Sequence, residues 1–143
     1  MKLAATIFVL GFVCGVVTPA HAASASKPVR VLVDCSSNND SVGARFCLAL
    51  REKIRASQGF ELVDSEKPLV FEVHIVSESD TAQSEPQDVS CAAAVVFTAM
   101  SVDSREIYLT SFVLDFGANR VGEEAEQVLA HIDQESDFLH KIK

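Results

Sequence analysis

The chain has 143 residues, 48% of them hydrophobic, with 12 Lys and Arg against 20 Asp and Glu, a formal net charge of −8. That length suits a single core. The acidic balance leaves no basic patch to neutralise phosphates, which argues against nucleic acid and against adhesion to anionic membrane surfaces.

Met1 and Lys2 precede an apolar run from Leu3 to Val17, followed by Thr18-Pro19-Ala20-His21-Ala22. A positive charge, an apolar core and small residues at Ala20 and Ala22 are the three parts of a secretory signal. A spanning helix needs about 20 apolar residues, and Pro19 interrupts this one early. Cleavage is expected between Ala22 and Ala23, making 1–22 a signal peptide. Cys14 does not read as a lipidation site, because bulky Val13 stands where a small residue is needed. Past Ala22 no run is long and charge-free enough to span a bilayer, so no stable membrane span is expected once the signal is removed. The expected compartment is the periplasm or the outside of a bacterial cell. Residues 23–28, small and polar, read as a disordered leader, and 29–143 as a single α/β domain.

Three cysteines follow the signal: Cys35, Cys47 and Cys91. An oxidising compartment permits disulfides, but an odd count leaves one thiol over. Cys35 and Cys47 flank one loop and can pair if it folds back; equally, Cys47 can be a small buried hydrophobe on a helix. No His lies near a cysteine in sequence, so a catalytic thiol is not expected.

Val29, Val31 and Val33 alternate with Arg30 and Asp34, which predicts a first strand over Val29–Cys35. Ser36 to Asp40 is turn chemistry, with Asp40 or Ser41 as helix cap. A helix is predicted from Ser41 to about Ser57, since Val42, Phe46, Leu50 and Ile54 recur every fourth position and Ala49 and Cys47 widen the stripe. Gly59 fits the left-handed position that commonly ends a helix. Phe60–Val63 resumes an extended pattern. Leu69–Val76 is predicted as a strand with Leu69, Phe71, Val73 and Ile75 inward, and Glu72 and His74 on a mostly wet face. Ser77–Ser90 reads as a long acidic loop carrying Glu78, Asp80, Glu85 and Asp88. Cys91–Val102 and Glu106–Phe116 form a hairpin through Asp103-Ser104-Arg105. Strict alternation on its second strand sets Ile107, Leu109 and Val113 against Tyr108, Phe112, Leu114 and Phe116. Both faces are apolar, so both are expected to be covered, one by a helix and one by a further layer such as a second protomer. Tyr108, Phe112, Leu114 and Phe116 are the candidate interface. A last helix is predicted over roughly Val121–Lys141, with Ala125, Val128, Leu129, Ile132 and Leu139 inward and acids in its first turns, where the helix dipole favours them.

The order β-α-β-β-β-β-α predicts an α/β (α+β) fold: a single mixed β-sheet, its first two strands parallel, with two helices packed on one face.

The segments Val29-Arg-Val-Leu-Val-Asp34, Leu48-Ala-Leu-Arg-Glu-Lys-Ile-Arg-Ala-Ser57 and Gln58-Gly-Phe-Glu-Leu-Val-Asp64 resemble the opening βαβ of the TolB amino-terminal-domain type. The chain is also similar to small uncharacterised exported bacterial proteins. The TolB resemblance implies a protein-docking module of the cell envelope, with no catalytic residues to carry over.

His131 and His140 lie nine residues apart on the last helix, an offset of about 180° at about 100° per residue, so they cannot share a metal. His74 sits on a polar strand face with no ligand spacing around it, and the histidines read as surface residues. The acidic loop has no Gly at a bend, as a calcium loop of the EF-hand kind requires. No Gly-x-Ser-x-Gly elbow and no Gly-rich phosphate loop occurs; Gly43, Gly59, Gly117 and Gly122 are scattered. The loop from Ser36 to Gly43 could cradle a small anion, but capping explains its composition. No cofactor, metal or catalytic set is expected. The leading expectation is therefore a non-enzymatic exported module that docks another envelope protein or itself as a homodimer. One alternative is a small hydrolase or ligand binder assembled from Ser36, Asp34, His74 and Glu72. Another is an inhibitor or immunity-like protein for a basic secreted partner.

Overall fold

The computed structural model describes residues 27–37, 40–65, 70–80, 90–103 and 105–139. The Ala22–Ala23 cleavage point, Cys14, most of the leader, Glu85, Asp88 and His140 lie outside the described residues. The elements are β1 (Val29–Ser37), α1 (Ser41–Ala56), β2 (Phe60–Val63), β3 (Phe71–Asp80), β4 (Ser90–Met100), β5 (Glu106–Gly117) and α2 (Val121–Leu139).

All five strands join one mixed sheet in the order β2-β1-β3-β4-β5. β1 is interior and parallel to both neighbours, with Val29 opposite Phe60 and Val33 opposite Val73. β3, β4 and β5 form an antiparallel meander. The fold class is thus an α+β arrangement of one mixed sheet and two helices.

The sheet's inward positions are Val31, Val33, Phe71, Val73, Ile75, Cys91, Ala93, Val95, Phe97 and Phe116, all buried. Both helices lie on that face. α1 contributes Val42, Phe46, Leu50 and Ile54; α2 contributes Val121, Ala125, Val128 and Ile132. Tilted aromatic pairs run through the layer, Phe46 with Phe116 at 5.1 Å and Phe97 with both Phe71 and Phe112 at 5.6 Å. Each ring removed from water contributes roughly 1.5–3 kcal/mol, so this continuous layer is what holds the molecule together.

A disulfide joins Cys35 of β1 to Cys47 of α1, their Cα atoms 6.5 Å apart. It fits an exported protein. Cys91 is a free thiol and fully enclosed.

Three expectations are corrected. α1 does not end on a left-handed Gly59; it ends at Ser57, whose backbone is extended and whose N–H bonds back to Lys53 and Ile54. The Ser57 hydroxyl accepts from the Gly59 N–H, and the Gly59 carbonyl accepts from Val29, so this stretch already belongs to the sheet. β3 runs on to Asp80, four residues beyond the alternating apolar run, because β4 pairs with it as far as Ser90. β5 does not alternate strictly. Its register slips between the Phe97–Thr110 and Thr98–Tyr108 pairs, leaving Leu109 as the extra residue of a bulge. The register sets Ile107 opposite buried Ala99 and sends Tyr108 to the other side with Val113, while Leu109, Phe112, Leu114 and Phe116 pack on the helix-side core.

Candidate functional site

The helix-free face of the sheet carries the outward residues of every strand. Across β3, β4 and β5 the register sets them in rows: Glu72–Thr98–Tyr108, then His74–Val96–Ser111, then Val76–Ala94–Val113, then Glu78–Ala92–Asp115. Asp34 of β1 stands beside His74, and Leu32 beside Glu72. Nothing among the described residues covers the third row. Val76 is 56% exposed and Val113 73%, with Tyr108 close behind at 62%. Within the single chain, the described residues supply no second layer over this side of β5. The candidate interface is also split: Phe116 is buried, Phe112 and Leu114 pack half-buried against the helix-side core, and Tyr108 alone faces outward. The bulge at Leu109 is the cause, since it reverses which residues share a face with Tyr108.

The rim of this face is acidic. Asp34, Glu61, Glu78, Glu106 and Asp115 are exposed around it, and Arg30 is the one basic side chain the described strands bring there.

At the β1 side of the rim, side chains converge on His74. Its Nδ1 lies 3.6 Å from Asp34 Oδ2 and its Nε2 lies 3.4 Å from Glu72 Oε2 and 3.7 Å from Glu106 Oε1. The Thr98 hydroxyl is 3.3 Å from the same Nε2. Glu72 does not lie on a wet surface: it is 2% exposed, roofed by the neighbouring strands' side chains. A cleft of about 620 Å³ opens alongside, lined by Leu32, Asp34, Arg51, Val63, Asp64 and His74. The cleft exists because β2 pairs with β1 only as far as Leu32 while β1 continues to Ser37. Arg51 from α1 fills part of that gap by donating to the Val33 carbonyl at 2.9 Å.

Of the four residues assigned to a scattered site, Asp34, His74 and Glu72 are brought together. Ser36 is not. It sits one rung farther along β1, opposite Val76, and makes no hydrogen bond to the imidazole. The hydroxyl nearest His74 is that of Thr98, which is buried in the middle of β4. Thr98 lies on an interior strand, paired with β3 on one side and β5 on the other.

A second polar cluster lies under α1. Asp40 caps the helix by accepting from the Val42 N–H at 2.9 Å, and its other oxygen accepts from the Cys91 thiol at 2.9 Å. Burial would raise the Asp40 pKa, but hydrogen bonds from Cys91 and the Gly43 and Val42 amides outweigh it and hold the carboxyl below its ordinary value. Burial, then the hydrogen bond to Asp40 and its charge, push Cys91 up to about 12. Such a thiol is inert, and the helix amino terminus is filled by its own carboxylate, not open to an anion. His131 packs on Phe112 between α2 and the sheet, the ring centroids 4.7 Å apart and the planes tilted by 38°.

No family model matches the sequence, the TolB amino-terminal-domain type included, and no curated protein matches it. Among solved structures, the fold is similar to rare lipoprotein B of Shewanella oneidensis, at 12% identity and a TM-score of 0.40, over 76% of this chain and 98% of that one. A minor lipoprotein of Acinetobacter baumannii aligns at 8% identity and a TM-score of 0.36, over 76% and 94%. A hypothetical protein of Chlamydia trachomatis aligns at 14% identity and 0.41, over 63% and 72%. Likenesses at this identity and TM-score carry no argument about this chain. No helix among the described residues is long and apolar enough to cross a membrane.

Proposed function

We propose that this is a non-enzymatic exported docking module, which holds a partner protein against the helix-free face of its sheet. The observation that carries the reading is the uncovered Val76–Ala94–Val113 row set within an acidic rim. Apolar side chains exposed together on a folded surface mark a contact surface, and the partner is defined by complementarity. It presents an apolar centre to the row and Lys or Arg to Asp34, Glu78, Glu106 and Asp115. A second copy of this chain fits less well, because it would bring the same acids against one another.

The test is capture from envelope extract by the immobilised chain from Ala23 onward, beside a V76D/V113D variant with an unchanged circular dichroism spectrum. The expected result is a protein retained by the parent, lost with the variant and carrying a basic surface. Identical retention by both, or a dimer by light scattering that the variant dissolves, overturns the reading.

A further inference from the structure

The geometry points to a divalent transition-metal site at the β1 side of the rim, with His74 Nε2, Glu72 and Glu106 as protein ligands and Asp34 orienting the imidazole. The three ligand atoms lie within 4.8 Å of one another. Bonds of about 2.0–2.1 Å directed to the corners of a tetrahedron separate ligand atoms by roughly 3.3–3.5 Å. The distances from Nε2 to the two carboxylates, 3.4 and 3.7 Å, fall at or just beyond that edge. An ion can therefore enter with small side-chain movements and no change of backbone.

The donor set selects the ion class. One imidazole with two carboxylates suits zinc and its first-row neighbours, whereas calcium needs six to eight oxygens that this face does not supply. The far ring nitrogen faces Asp34 at 3.6 Å. A carboxylate there favours the tautomer with its proton on Nδ1, which leaves the Nε2 lone pair for the metal. Glu72 and His74 are two residues apart on β3 and share a face, and Glu106 arrives from the start of β5 two strands away. Ligands carried on β3 and β5, both hydrogen-bonded to the β4 strand between them, are held by the ladder, which is more rigid than a loop. Glu106 is 55% exposed, so the remaining coordination position opens to solvent.

This site shares Asp34 and Glu106 with the acidic rim of the docking face but uses none of Val76, Ala94 or Val113, and its test needs no partner. The experiment is calorimetric titration of Zn²⁺ into the untagged, disulfide-intact chain from Ala23 onward, after treatment with EDTA. One zinc per chain is expected, with binding weakened at least tenfold by H74A and by E106Q, and about tenfold by D34N. H131A is expected to bind as the parent does. Glu106 is at the surface, so E106Q keeps the test valid should H74A unfold. Absence of saturable binding overturns the site, as does an E106Q variant that binds like the parent or an equal loss in H131A.

Discussion

Gly43 is where α1 packs tightly on Ser77 of β3. A Cβ built there runs into the Ser77 side chain and the Asp40 carboxylate, both buried and neither able to swing away. Gly122 in α2 has nothing within 4 Å of the same position. G43A is thus expected to destabilise by about 1–3 kcal/mol through overpacking. G122A should be neutral or stabilise by up to about 1 kcal/mol through helix propensity. Paired urea melts check both. The neighbouring Asp40–Cys91 pair predicts a pH dependence at each end of the scale. Asp40 is depressed in the fold, so its contribution is present above the ordinary value of 3.8 and lost as pH falls through the lower folded one. Cys91 is raised from 9.0 to about 12, so its contribution is complete below 9.0 and declines as pH rises toward 12. Urea midpoints across the alkaline range should fall more steeply for the parent than for C91A.

At the level of elements, the disulfide closes a short loop. Its ends are 12 residues apart and tie the end of β1 to the middle of α1. A loop of about this size gives roughly 3 kcal/mol by the chain-entropy argument. Reduction, or a C35A/C47A variant, is expected to lower unfolding stability by about 2–4 kcal/mol, read from urea melts with and without reductant. The alternation of Val29, Val31 and Val33, and of Phe71, Val73 and Ile75, is legible in the sequence because each residue's burial follows from its own strand's pleat. The fourfold rhythm of Val42, Phe46, Leu50 and Ile54 is legible for the same local reason. The Leu109 bulge is not. No Gly or Pro marks it, and it arises only from the misfit between β4 and β5. The cysteine bridge is not decided by the sequence, because Cα separation is a property of the packed layer, not of spacing.

For the molecule as a whole, charge decides how the outward face behaves. Partner binding there should weaken as salt rises, since the rim pairs are solvent-exposed and screened beyond about 8 Å at physiological ionic strength. Affinity measured at low and high salt checks this, and a flat response would remove the basic rim from the partner's description. The cluster about His74 was legible only in part. Asp34, Glu72 and His74 are readable as outward residues of neighbouring strands, but their adjacency depends on β3 lying against β1, an order no local pattern encodes. Glu106, 32 positions beyond His74, carries no sequence signal of its role.

The kink at Leu109 also bears on how these molecules coexist at high concentration. β5 is the outer margin of the sheet and spans 12 residues, more than enough to recruit a stray strand into growing cross-β stacks. One surplus residue at Leu109 interrupts that margin and steepens the local right-handed twist, so an incoming segment finds no uninterrupted flat template. A single surplus leucine on the outer strand thereby disfavours edge-to-edge pairing without altering the Val76–Ala94–Val113 row of the outward face.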